Sequence, residues 1–174
     1  FVLAHKPKVV FADETTTGID VSRQKKVISQ FKLIQSENPD TTIVIISHDF
    51  AFLNHLVDTY VVMFGGFVLE VINDINKLRS RETLHPYTAD LLSSLDQSSN
   101  NIQKETIDNF IDLTIKPQGC PYKDRCKVFA TGDRELQQKC ESELPPIIDP
   151  YSGEKVEELN TDWQRCWYPF LEAK

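Results

Sequence analysis

Val9-Val10-Phe11-Ala12-Asp13-Glu14 decides how this chain is read, with Asp20 shortly after it and Ile45-Ile46-Ser47-His48-Asp49 further on. Four apolar residues ending in Asp-Glu predict a buried strand that delivers two carboxylates to its C-terminal tip. A second apolar run, Thr42 to Ile46, is rich in β-branched residues and delivers Ser47 and His48 in the same way. Two strand tips carrying acid, acid and imidazole suit a magnesium–phosphate site. One carboxylate serves the metal, one activates water, and the ring faces the terminal phosphate.

The surrounding pattern is that of alternating strands and helices. Asp20 is expected to cap a helix from Val21 to about Ser36, with Val27, Ile28, Phe31 and Ile34 recurring on one face. Asn38-Pro39-Asp40 ends it, because proline pushes its predecessor out of helical space. A shorter helix, Asp49 to Val57, leads to a strand at Tyr60–Phe64. Gly65-Gly66 then turns the chain into Phe67–Val71, a hairpin signal because both turn positions tolerate positive φ. The alternation before this hairpin indicates a parallel, helix-covered sheet. Beyond Ile72, a short helix is expected from Asp74 to Arg81. Another starts at His85-Pro86 and carries Leu91, Leu92 and Leu95 inward. Residues 96–103 are polar and read as a linker, and Ile107, Phe110, Ile111 and Leu113 as a brief amphipathic element. From Lys116 onward proline, cysteine and charge dominate, and the stretch is expected to be loop-rich and held by something other than an apolar core.

Composition narrows the function. A length of 174 residues accommodates one domain and an appendage. The net charge of -7, with no basic cluster beyond Arg23-Gln24-Lys25-Lys26, argues against a nucleic-acid partner. No apolar run approaches ~18 residues, so membrane association is expected only through partners. All four cysteines fall after residue 119, with five, thirteen and twenty-five residues between successive members. Structural zinc usually shows tight ligand pairs, which are missing here. Four thiolates can also hold a [4Fe–4S] cluster with ligands from distant loops. Iron–sulfur, zinc and metal-free thiols all remain open on spacing alone.

In order and spacing, Asp13-Glu14, Thr16-Thr17-Gly18-Ile19-Asp20 and Ser47-His48-Asp49 resemble the Walker B end, D-loop and switch histidine of ABC transporter ATP-binding subunits. His85-Pro86-Tyr87-Thr88-Ala89-x-Leu91-Leu92 resembles an element of the oligopeptide/dipeptide (peptide/nickel) importer branch. Gly119-Cys120-Pro121-Tyr122, Arg125-Cys126, Cys140, Pro145-Pro146 and Cys166 resemble the cysteine-bearing C-terminal extension of that branch.

The resemblance implies an α/β fold: part of a P-loop NTPase parallel sheet with flanking helices, followed by a loop-rich extension. Residues 1–72 would be the later part of the ATPase domain, 73–115 a helical segment and linker, and 116–174 the extension. Asp13 would hold the Mg²⁺ of Mg-ATP, Glu14 and His48 would be catalytic, and Asp20 would reach across a dimer. Thr15 stands where the family has proline, and Gly18-Ile19 where it has Ala-Leu, so this loop is less pre-organised. Disulfides do not suit a cytosolic ATPase. Some members carry a cluster in the extension, so Cys120, Cys126, Cys140 and Cys166 are expected to bind [4Fe–4S], with zinc as runner-up.

The implied partners are a second ABC ATPase subunit, transmembrane permease subunits and, indirectly, an extracytoplasmic solute-binding protein, with no nucleic acid. The implied location is peripheral, at the cytoplasmic face of the membrane. Neither a Gly-x-x-x-x-Gly-Lys-Ser/Thr loop nor a Leu-Ser-Gly-Gly signature occurs in these residues. The expectation is therefore the C-terminal part of a longer peptide-importing ATPase subunit. The alternative is a stand-alone metal-binding interaction or redox-sensing module with a vestigial nucleotide face.

Overall fold

Strands β1 (Val9–Asp13) and β2 (Thr42–Ile46) pair in parallel, with Val9 opposite Thr42 and Asp13 opposite Ile46. They belong to a computed structural model that describes residues 5–16, 18–81, 84–96, 117–156 and 161–167. The predicted linker from residue 97 on, and the predicted element around Ile107 to Leu113, lie outside the described residues. The chain divides into two units, Phe1–Val57 and Asp58–Lys174.

In the first unit, helix α1 (Val21–Glu37) starts at Asp20, whose carboxylate accepts from the Arg23 N–H at 3.0 Å. Asn38 closes it, since both its backbone and side-chain nitrogens donate to the Ile34 carbonyl. Helix α2 (Phe50–Leu53) is shorter than predicted and loosens into turns that run on to Val57. Phe31 of α1 meets the buried Phe52 of α2 edge-on, with ring centroids 6.4 Å apart. The expected burial of β1 is not realised: Val9 is 47% and Phe11 70% exposed, and Ala12 alone is buried. Parallel strands need cover on both faces, and a sheet of two strands provides little of it.

The second unit holds an antiparallel sheet in the order β3-β4-β6-β5. Gly65 and Gly66, at φ 57° and 82°, turn β3 (Tyr60–Phe64) into β4 (Phe67–Ile72) as the sequence predicts. The other edge of β4 takes β6 (Trp163–Arg165), which pairs in turn with β5 (Ile147–Ile148). Among the described residues, parallel pairing is thus confined to β1 and β2, in place of the expected helix-covered parallel sheet. Asp74 caps α3 (Ile75–Ser80), which Arg81 ends in the left-handed region, and α4 (Pro86–Asp96) follows.

The cysteine-bearing segment also departs from expectation. It contains a 3₁₀ turn at Lys123–Arg125, α5 (Lys127–Thr131) and α6 (Arg134–Ser142), the last capped by Asp133. These helices are too short to show periodicity. It does have an apolar core: Tyr122 and Leu136 pack with Leu69 of the hairpin, flanked by Phe64, Phe67, Phe129 and Trp167. The hairpin supplies the apolar partners that the segment's own composition lacks.

A polar group lies beside this core. Glu70, His85, Thr88 and Gln164 are all at most 3% exposed. The His85 N–H donates to Glu70 Oε1 at 3.0 Å, and the Tyr87 N–H donates to His85 Nδ1 at 3.1 Å. An accepting Nδ1 leaves the proton on Nε2. Burial pushes the Glu70 carboxyl up to about 7, against the pull of the His85 N–H that it accepts. Burial likewise holds the His85 ring neutral down to about 4.

The two groups have opposite linkage signs. Glu70's contribution to stability is complete below its ordinary 4.5 and is lost as pH rises to about 7. That of His85 is complete above its ordinary 6.5 and is lost as pH falls to about 4. Glu70→Gln should remove the first limb and leave the second. In denaturant titrations, its stability relative to wild type should rise with pH above 4.5. The gain should level off near neutrality at roughly 3 kcal/mol. A difference that does not change with pH would mean that Glu70 is ionised where it sits.

Candidate functional site

The carboxylate and imidazole singled out in the sequence do meet. Glu14 follows β1 directly and adopts φ 48°, a region that residues with a side chain enter rarely. Its N–H still donates to the Ile46 carbonyl at 2.9 Å, which ties it to the tip of the β1–β2 ladder. The turn aims its side chain at the neighbouring strand tip, where Oε1 lies 3.0 Å from Nδ1 of His48. The side chains are 40% and 81% exposed, so the pair adds little stability in water. The hydrogen bond and charge of Glu14 raise the His48 imidazole above its ordinary range.

Asp49, which the sequence reading did not weigh as a site residue, fixes the loop that carries His48. Its carboxylate caps α2 through the Phe52 N–H at 3.0 Å and accepts from Gln24 Nε2 of α1 at 3.2 Å. Its own N–H donates to Ser47 Oγ at 3.1 Å. Asp13 ends β1 at the same tip. Asp20 is set apart at the start of α1, where both its oxygens turn to Arg23. Gly18, at φ 75°, sits in the loop between them.

In the second unit the four cysteines line one cavity, together with Tyr122, Phe129 and Trp167. They arrive from four places: Cys120 before the 3₁₀ turn, Cys126 at the start of α5, Cys140 within α6 and Cys166 just after β6. The Cys120 N–H donates to the Cys140 carbonyl at 2.7 Å. Gly119 makes that approach possible, because a side chain there would collide with the Cys140 carbonyl oxygen and come within 2.6 Å of that of Glu141. Cys120 and Cys140 are buried, and none of the four cysteines is joined in a disulfide. Burial raises the thiols of Cys120 and Cys126. In Cys140, burial and then its two thiol neighbours push the group up to about 11.

Four soft donors lining one cavity suit zinc or an iron–sulfur cluster. Among the described residues, however, no three His, Cys, Asp or Glu side chains stand close enough to hold a metal ion. The expected ligands are gathered, therefore, but not drawn into coordination. Glu70 went unnoticed in the sequence, although a lone charge inside Phe67-Val68-Leu69-Glu70-Val71-Ile72 is a readable signal of a buried carboxyl.

Residues 74–131 match the family described as the oligopeptide/dipeptide transporter, C-terminal region. The chain is 27% identical over 147 residues to the oligopeptide transport ATP-binding protein OppF of Haemophilus influenzae, covering 82% of this chain and 41% of that protein. It is 32% identical over 165 residues to the oligopeptide transport ATP-binding protein AppD of Bacillus subtilis, covering 88% and 44%. To the dipeptide transport ATP-binding protein DppD of the same organism it is 33% identical over 123 residues, covering 70% and 36%. The chain thus spans less than half the length of these relatives.

Gly119→Ala should separate the Cys120 and Cys140 segments, at about 1–3 kcal/mol for an overpacked site. A urea titration should show the loss, and Ellman's reagent should reach Cys120 and Cys140 faster. Unchanged thiol reactivity would mean that the backbone gives way without opening the cavity.

Proposed function

The chain belongs to the family of oligopeptide/dipeptide transporter ATP-binding proteins, and on that premise we propose that it forms part of the ATP-hydrolysing subunit of a peptide importer. The 3.0 Å contact between Glu14 and His48, made by residues from two adjacent parallel strand tips, carries the reading. In this reading β1 and β2 are two strands of a larger P-loop sheet. The loop that cradles the phosphates comes from outside these 174 residues. Glu14 accepts a hydrogen bond from the attacking water, while His48 holds Glu14 and faces the terminal phosphate. Asp13 would hold Mg²⁺ through a water, and the ion when bound would offset phosphate charge. Asp20 and its Gly18-containing loop would face a second ATPase subunit.

No helix among the described residues is long and apolar enough to cross a membrane. Attachment at the cytoplasmic face would run through permease subunits, with a solute-binding protein supplying peptide from the other side. The four thiols lining one cavity support a bound metal group, a [4Fe–4S] cluster ahead of zinc. The relatives' names are those of transport ATP-binding proteins, which disfavours a stand-alone redox or metal module.

In the intact subunit, Glu14→Gln should lower ATP turnover by roughly 100-fold or more while leaving ATP binding in place. His48→Ala should act in the same direction. An ATPase assay paired with nucleotide-binding titration separates the two effects. Near wild-type turnover in Glu14→Gln would remove Glu14 from the role assigned to it.

The metal group makes a separate prediction. Protein purified without oxygen should be brown and carry about four irons per chain, and replacing any of the four cysteines by serine should bleach it. Colourless protein with stoichiometric zinc would replace the cluster by zinc. Protein with neither metal would remove the metal reading.

A further inference from the structure

Two stretches that stand apart in the sequence, His85-Pro86-Tyr87-Thr88 and Gly119-Cys120-Pro121-Tyr122, meet in the structure. Tyr122 is 5% exposed, with its ring centroid 5.2 Å from that of Tyr87, 5.1 Å from Phe64 and 6.1 Å from His85. Its hydroxyl donates to Asp90 Oδ2 at 2.7 Å, and the other oxygen of Asp90 accepts from Lys127 Nζ at 3.3 Å. Tyr122 lies two positions after Cys120, and Lys127 directly follows Cys126. One carboxylate of α4 therefore holds side chains near both ends of the stretch from Cys120 to Lys127. The two holds are unequal. The bond from buried Tyr122 is short and charge-assisted, whereas the Lys127 side chain is 85% exposed and its ion pair is worth little in water.

We infer that Asp90 and Tyr122 are a positioning pair that fixes the thiol cavity before any metal enters it. They act through the Cys120–Cys126 backbone, since the Tyr122 hydroxyl is engaged by Asp90. The inference takes from the metal reading only the identity of the group to be held. The geometry it asserts belongs to the metal-free protein. It also assigns a task to the His-Pro-Tyr-Thr stretch: Tyr87 and His85 wall the slot into which Tyr122 inserts.

The test compares wild type with Tyr122→Phe, Asp90→Ala, Asp90→Asn and Lys127→Ala in the intact subunit. In metal-free protein, N-ethylmaleimide should label Cys120 and Cys126 about tenfold faster in Tyr122→Phe and Asp90→Ala, the scale for losing one buried hydrogen bond. Asp90→Asn keeps an acceptor for the hydroxyl but loses the charge and should fall between wild type and Asp90→Ala, while Lys127→Ala should stay near wild type. In protein loaded with zinc alone, transfer of the metal to a chelator should accelerate in the same order. The visible bands of Co²⁺-substituted protein should shift in Tyr122→Phe.

If Asp90→Ala fails to fold, Tyr122→Phe decides alone, because it removes a single oxygen. Wild-type labelling rates and Co²⁺ bands in a folded Tyr122→Phe variant would overturn the inference. Wild-type protein that binds no metal would instead overturn the ligand reading, and the labelling rates would still decide the positioning pair.

Discussion

Strand β4 is hydrogen-bonded on both edges, to β3 on one side and β6 on the other, and the second unit is organised around that constraint. The β3–β4 ladder shifts register between Val62 and Met63, which leaves Leu69 as an extra residue on β4. A bulge of this kind re-aims side chains. Here two consecutive residues, Leu69 and Glu70, are both buried instead of alternating. Leu69 enters the cluster that contains Cys120 and Cys140, while Glu70 receives the N–H that opens the approach to α4. A one-residue slip would separate these two roles. The thiol cavity and the His85 group therefore share one register.

The first unit relies on register in a simpler way. Glu14 and His48 come from different strands, and neither is close to the other in sequence. Parallel pairing of Asp13 with Ile46 brings both tips level, and the bond from the Glu14 N–H to Ile46 extends that pairing into the turn. The positive φ of Glu14 is a local strain held by this ladder. Asp49 secures the opposite side by bonding α1, α2 and Ser47 together. The pair stays exposed at the two strand tips.

Much of this was readable in the sequence where local chemistry dominates. Strands β1, β2 and β3 fall where apolar runs and β-branched residues place them, Gly65-Gly66 turns where two positive φ values are needed, and Asp20 caps the helix it precedes. The contact of Glu14 with His48 follows from the order of the strand tips. What could not be read depends on distant partners. Strand β6 has three residues and no pattern of its own, and exists because β4 offers an edge. The core of the cysteine-bearing segment is legible only once Leu69, Phe64 and Tyr87 are known to face it. The exposure of Phe11 escaped prediction for the converse reason, since an apolar strand signals burial without saying what covers it.

The lateness of β6 has a consequence for biosynthesis. Asn73 bonds to Asp162, 89 positions on, and Val68 to Arg165, 97 positions on. A ribosome adding roughly 5–20 residues per second needs several seconds to cover that distance. Throughout that interval the β3–β4 hairpin has formed its turn but holds an open edge on β4. An unpaired edge beside an apolar residue is a template for wrong partners. The second unit therefore closes only after its last strand has been made, and the nascent hairpin is the stage at which a chaperone has something to protect.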